Sequence, residues 1–123
     1  MHKSKLAGFI IDCRSDDLEE AASFWGAALG YPTAPATNGS RYRELQTGED
    51  FYIEVQTVDH ESRIHVDIQS DDVEAEVERL EALGARRVEK IRTWWVMEAP
   101  TGQRFCVTRN GSPDFDNRAN TWN

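Results

Sequence analysis

The strongest constraint on this chain is that it contains itself twice. The stretch "FIIDCRSDDLEE" at 9–20 lies without gaps over "IHVDIQSDDVEA" at 64–75, so Ile10 meets His65, Asp12 meets Asp67, Ser15 meets Ser70 and Glu19 meets Glu74. After a slip of a single position, "AALG" at 27–30 meets "EALG" at 81–84, and "TGEDFYIEV" at 47–55 meets "TGQRFCVTR" at 101–109. One supersecondary unit of about half the chain is written twice, and a fold assigned to one copy must serve the other.

Each copy opens with the alternation of a strand that buries one face: Phe9, Ile11 and Cys13 in the first, Ile64, Val66 and Ile68 in the second. The other face carries Ile10, Asp12 and Arg14, and His65, Asp67 and Gln69. Asp16 and Asp71 precede Glu19 and Glu74 at capping-box spacing, which predicts a helix start at each. Leu18, Ala21, Ala22, Trp25, Ala28 and Leu29 form one apolar stripe, and Val73, Val77, Leu80 and Leu83 another. Gly30 and Gly84 stand where a left-handed C-terminal cap wants glycine. Turn chemistry at Asn38-Gly39, Thr47-Gly48 and Pro100-Thr101-Gly102 separates strands expected at 42–46, 51–57, 86–92, 94–98 and 104–109, with 31–36 a further candidate despite two prolines. The pattern predicts an α+β fold of two βαβββ modules, about 5–58 and 62–109, followed by a tail at 110–123. Each amphipathic helix covers the apolar face of its own strands. The polar faces are then expected to line a concave surface for a small molecule.

With 123 residues the chain has room for one compact domain. Asp and Glu number 22 against 14 Lys and Arg, a net charge of −8 that repels a phosphate backbone or an anionic membrane surface. Neither nucleic acid nor membrane is an expected partner. The run "LAGFII" is broken by Gly8 and followed by Asp12, too short for a signal-peptide core or a span, so a cytoplasmic location is expected. Cys13 and Cys106 lack metal-cluster spacing and read as two thiols.

The duplicated unit, with "DDLEEAASFWGAALGY" in one half and "DDVEAEVERLEALGA" then "APTGQRFCV" in the other, resembles the vicinal oxygen chelate superfamily, and within it the small glyoxalase-like domains. The resemblance covers about residues 6–109 and implies a glyoxalase-like domain over 1–109, acting as a homodimer. The superfamily includes metal-using enzymes, such as glyoxalase I and extradiol dioxygenases, and the bleomycin-resistance proteins, which bind without metal. Its metal positions fall here on Ile10, His65, Tyr52 and Cys106, of which only His65 is a usual ligand. The common ending "DPxGNxxE" appears as "APTGQRFC", with Ala99 for the turn aspartate and Cys106 for the metal glutamate. The resemblance therefore implies an incomplete metal site and no cofactor.

His65 is the sharpest candidate, because imidazole titrates near neutrality and serves as acid, base or hydrogen-bonding group. Asp67 on its own face, Asp12 in the equivalent strand and Glu54 are candidates to orient or charge it, so His65, Asp67 and Glu54 form the expected catalytic set. Asp12, Tyr52, Gln56, Trp95, Arg104 and Cys106 are expected ligand contacts. The plainer alternatives are that Asp12 and Asp67 pair with Arg14 or Arg104, and that Cys106 is a small apolar filler. Of the adjacent Trp94 and Trp95, one is expected to face the helix layer and the other the ligand. Phe115 and Trp122 mark the tail as a cap, a subunit contact or a mobile end. His2, in an expected frayed terminus, and His60, in a polar connection, carry no functional reading. The function expected is binding of an organic ligand; the alternative is a glyoxalase-type lyase or isomerase using His65, with or without a divalent metal.

Overall fold

The computed structural model describes residues 1–109 and 111–123. In chain order the elements are β1 (His2–Arg14), α1 (Leu18–Leu29), β2 (Tyr42–Leu45), β3 (Tyr52–Val58), β4 (Arg63–Ser70), α2 (Val73–Ala82), β5 (Arg86–Ile91), β6 (Trp94–Glu98), β7 (Arg104–Arg109), α3 (Phe115–Arg118) and β8 (Asn120–Trp122). This is an α+β fold with a mixed sheet and few helices. The strands expected after each helix form within a residue of their predicted bounds, whereas 31–36 supplies only an isolated bridge from Thr33 to Leu45. No helix among the described residues is long and apolar enough to cross a membrane. The chain divides into two compact units, Gly8–His65 and Met1–Ala7 with Val66–Asn123, the division falling inside β1 and β4.

In the Gly8–His65 unit, β3 runs parallel to β1 and antiparallel to β2. α1 lays Leu18, Ala21, Ala22 and Trp25 over Leu45, Ile53, Val55 and Cys13. The helix starts one residue later than the capping box predicts: Asp17, not Asp16, accepts the Glu20 N–H at 3.0 Å. The reason lies in Glu19, which pairs with the buried guanidinium of Arg43 instead of reaching back to close a box. Gly30 ends the helix in the left-handed region, φ 81°, and donates its N–H to Gly26.

In the other unit β4 runs parallel to β7, which pairs antiparallel with β6, and β6 with β5. α2 packs Val73, Val77 and Leu80 on Ile68, Met97, Phe105 and Val107. Here too the cap is the second aspartate, Asp72, which accepts the Ala75 N–H at 3.1 Å, because Glu74 is engaged by Trp95 and Arg87. Ile64, expected in the buried stripe, is 59% exposed. It precedes Val66, where the β4–β7 ladder begins.

Both ends of the chain depart from expectation. His2 opens β1 rather than fraying, and its Nε2 lies 2.8 Å from Oε1 of Glu76, a carboxylate with 0% exposure. The C-terminal segment is not a loose end: β8 pairs antiparallel with β1 from His2–Trp122 to Ser4–Asn120. Trp122 donates its indole N–H to Ser4 Oγ at 2.8 Å, and Phe115 is buried. Asn110 lies outside the described residues.

Candidate functional site

The register of β1 on β3 sorts the side chains of the Gly8–His65 unit. Cys13, Ile53 and Val55 turn toward α1. The alternate residues therefore turn away from it: Gly8 opposite Tyr52, Ile10 opposite Glu54, and Asp12 opposite Gln56, extended by Glu44 opposite Glu54 and Tyr42 opposite Gln56. The four polar residues expected at the site in this unit, Asp12, Tyr52, Glu54 and Gln56, thus share one face. Gln56 donates from Nε2 to the Tyr42 hydroxyl at 3.4 Å.

Asp12 organises this face. Its side chain is 2% exposed, and Oδ2 accepts from His65 Nδ1 at 2.7 Å. A carboxylate only accepts, so it is Nδ1 that carries the proton of this bond. His65 itself is 14% exposed, held by β4 rather than by a loop. Arg63 Nε stands 4.0 Å from the same Oδ2, an ion pair beyond hydrogen-bond length. Among the described residues no donor bonds Oδ1, although the atom is buried. Of the three carboxylates expected to orient His65, the structure brings Asp12 to its Nδ1.

The approach of β3 to β1 depends on Gly8. A Cβ there would stand 2.3 Å from the Tyr52 carbonyl oxygen and 2.5 Å from its ring carbon Cδ1. Only a residue without a side chain lets the Tyr52 ring lie over β1.

In the other unit, Ile68 and Val107 go to the helix layer. Asp67 and Cys106 are register partners on the opposite face, with Val96 across from Cys106. Asp67 is buried, and the Cys106 thiol is half-buried. Arg104 lies 3.3 Å from Glu98, which also meets Arg86 at 2.8 Å; these guanidiniums, Arg86 first, hold the Glu98 carboxyl below its usual range. Trp95 is corrected from a ligand contact to a helix-layer residue. Its register partner is Val107, it packs on the α2 core, and its indole N–H goes to Glu74 at 2.8 Å. That bond, ahead of Arg87 and Lys90, holds Glu74 below the usual carboxylate range. Alternation gives the opposite face to Trp94, the other member of the tryptophan pair.

Arg63 and Gly8 escaped sequence reasoning, whereas Asp12 was among the three carboxylates expected to orient or charge His65. Aligning the repeat sets His65 over Ile10 and Asp67 over Asp12, and this correspondence does not choose among the three. The metal positions implied by the resemblance fit poorly in this unit. Ile10 is a buried alkyl group, Tyr52 offers a phenol, and His65 Nδ1 is already committed to Asp12. A hard octahedral ion needs several oxygen or imidazole ligands, and this donor set does not supply them.

Solved structures share the fold at low identity. A hypothetical protein from Bacillus halodurans C-125 is 13% identical with a TM-score of 0.62, over 89% of this chain and 96% of that one. Methylmalonyl-CoA epimerase from Mycobacterium tuberculosis is 16% identical with a TM-score of 0.60, over 86% and 87%. The 2,2',3-trihydroxybiphenyl 1,2-dioxygenase of Sphingomonas wittichii strain RW1 is 18% identical with a TM-score of 0.59, over 89% of this chain but 42% of the dioxygenase. No curated protein matches the chain. The model of the glyoxalase-like domain matches residues 8–108. Repeat, strand order, solved neighbours and family match converge: the chain belongs to the glyoxalase-like domain family of the vicinal oxygen chelate superfamily.

Proposed function

We propose that this protein binds a small organic molecule on the polar face of the Gly8–His65 unit, with the Asp12–His65 pair as its polar anchor. The observation that carries the reading is the 2.7 Å bond from His65 to a carboxylate that is 2% exposed. Burying a charge costs several kcal/mol unless it is well paired, on the order of what one buried ion pair recovers, so such a pair is retained where its orientation serves a purpose. Tyr52, Glu54 and Gln56 supply further polar contacts from the same face. Asp67, Arg104 and Cys106 form a second polar row in the other unit and are secondary contacts in this reading. Binding requires no cofactor. The net charge of −8 fits a small-molecule partner rather than nucleic acid or a membrane, and the protein is expected to act as a cytoplasmic homodimer.

A second reading is favoured by the same bond. With Nδ1 bonded to Asp12, His65 is the candidate acid or base of such a reaction, and Asp12 stabilises its protonated form. Glu54, on the same face, is the candidate partner acid. The reaction class would be a lyase or isomerase, the class to which the epimerase named above belongs.

Calorimetric titration of a metabolite and antibiotic panel tests both readings. A ligand of the wild type is expected to lose affinity at least about tenfold in both His65→Ala and Asp12→Asn, the scale of one lost charge-assisted hydrogen bond. Equal affinity in all three proteins would remove the anchor. Product formation that His65→Ala abolishes selects the enzyme; tight binding without product selects the binder.

A further inference from the structure

We infer that the ligand presents a protonated amine to Asp12 Oδ1, an inference that rests on the binding reading above and narrows it to one chemical class. Oδ2 is taken by His65, but no donor of the described protein bonds Oδ1, and that atom is buried. A buried carboxylate oxygen is costly without a donor, and a donor that also carries positive charge satisfies both the lone pair and the charge. A second feature of the same face points the same way. Glu44 and Glu54 are set directly opposite one another in the β2–β3 register, and Glu54 is opposite Ile10, the neighbour but one of Asp12. The register gathers carboxylates on this face, which favours a cationic ligand over an anionic one. The guanidiniums on hand do not fill this role. Arg63 lies 4.0 Å from Oδ2, and Arg14 is exposed at the end of β1 with its backbone N–H on Ser62. Tyr42 and Tyr52 add aromatic rings to the face, surfaces that attract ammonium groups. An anionic ligand would meet the carboxylates of Asp12, Glu44 and Glu54 on this face.

The test is a titration of isotope-labelled protein with benzylammonium, benzyl alcohol and benzoate at neutral pH, following backbone amides of β1 and β3. Benzylammonium is expected to bind at least about tenfold more tightly than benzoate, with shifts centred on Asp12 and Gln56. That preference is expected to collapse in Asp12→Asn, whose spectrum reports whether the variant is folded. If that variant fails to fold, the wild-type ranking of the three probes decides alone. Benzoate binding as tightly as benzylammonium with shifts on the same strands would overturn the amine class while leaving the binding reading intact. Failure of all three probes to move β1 and β3 would overturn both.

Discussion

Gly8 and Cys13 stand on the same strand and mark its two faces. At Gly8 any side chain collides with the Tyr52 backbone, which cannot swing away as a flexible side chain would. Gly8→Ala is expected to lower stability by about 2 kcal/mol, typical of overpacking against a fixed wall, and calorimetric unfolding measures it. An unchanged melting temperature would show that β3 has room to move. Cys13 faces α1, where burial pushes its thiol up; a hydrogen bond with Trp25 offsets part of this, and the Asp12 charge adds to the rise. A raised thiol means less thiolate at mildly alkaline pH, so Cys13 is expected to alkylate more slowly than an unfolded cysteine peptide. Mass-spectrometric labelling rates report this, and a rate equal to the peptide's would contradict it.

Among the elements, β8 is the one the sequence hides. "NTW" has no strand periodicity, and "HKSK" at the start of β1 reads as a polar terminus, yet the two pair. They are held by long-range side-chain bonds that no local pattern encodes. Arg79 lies 3.9 Å over the Trp122 ring while bonding both oxygens of Glu76, and His2 bonds Oε1 of the same glutamate. Glu76 was legible only as a polar helix residue, because a charge in the buried row of a helix reads as a break in its stripe. Burial pushes its carboxyl up, but hydrogen bonds from Arg79, His2 and Ser4 outweigh this and leave it below the ordinary value of 4.5. A depressed glutamate contributes stability that is present above its unfolded pKa and is lost as pH falls through its folded one. Acidification below the ordinary glutamate range is therefore expected to loosen β8 from β1, seen as early loss of the Trp122 indole N–H resonance. Glu76→Ala, which strands Arg79, is expected to cost about 3 kcal/mol in denaturant unfolding. A loss under about 1 kcal/mol, of the order of an exposed pair, would show that the network does not hold the strap.

At the scale of the whole molecule, the internal repeat made most of the fold legible, since alternation and glycine caps recur in both copies and each helix needs a sheet face to cover. Helix starts slipped by one because paired aspartates offer two equivalent caps, and tertiary partners of Glu19 and Glu74 decided between them. The site was legible by residue more than by contact. Asp12, Tyr52, Glu54 and Gln56 follow from strand parity, whereas Trp95 was misplaced because two adjacent tryptophans give no parity of their own. Everything proposed about function turns on the Asp12–His65 face being the place where this protein meets a small molecule. Crystallographic screening of a fragment library reads that out without assuming a ligand: fragments are expected to gather within hydrogen-bond distance of Asp12, His65 or Gln56, and reproducible binding elsewhere with none on that face would contradict it.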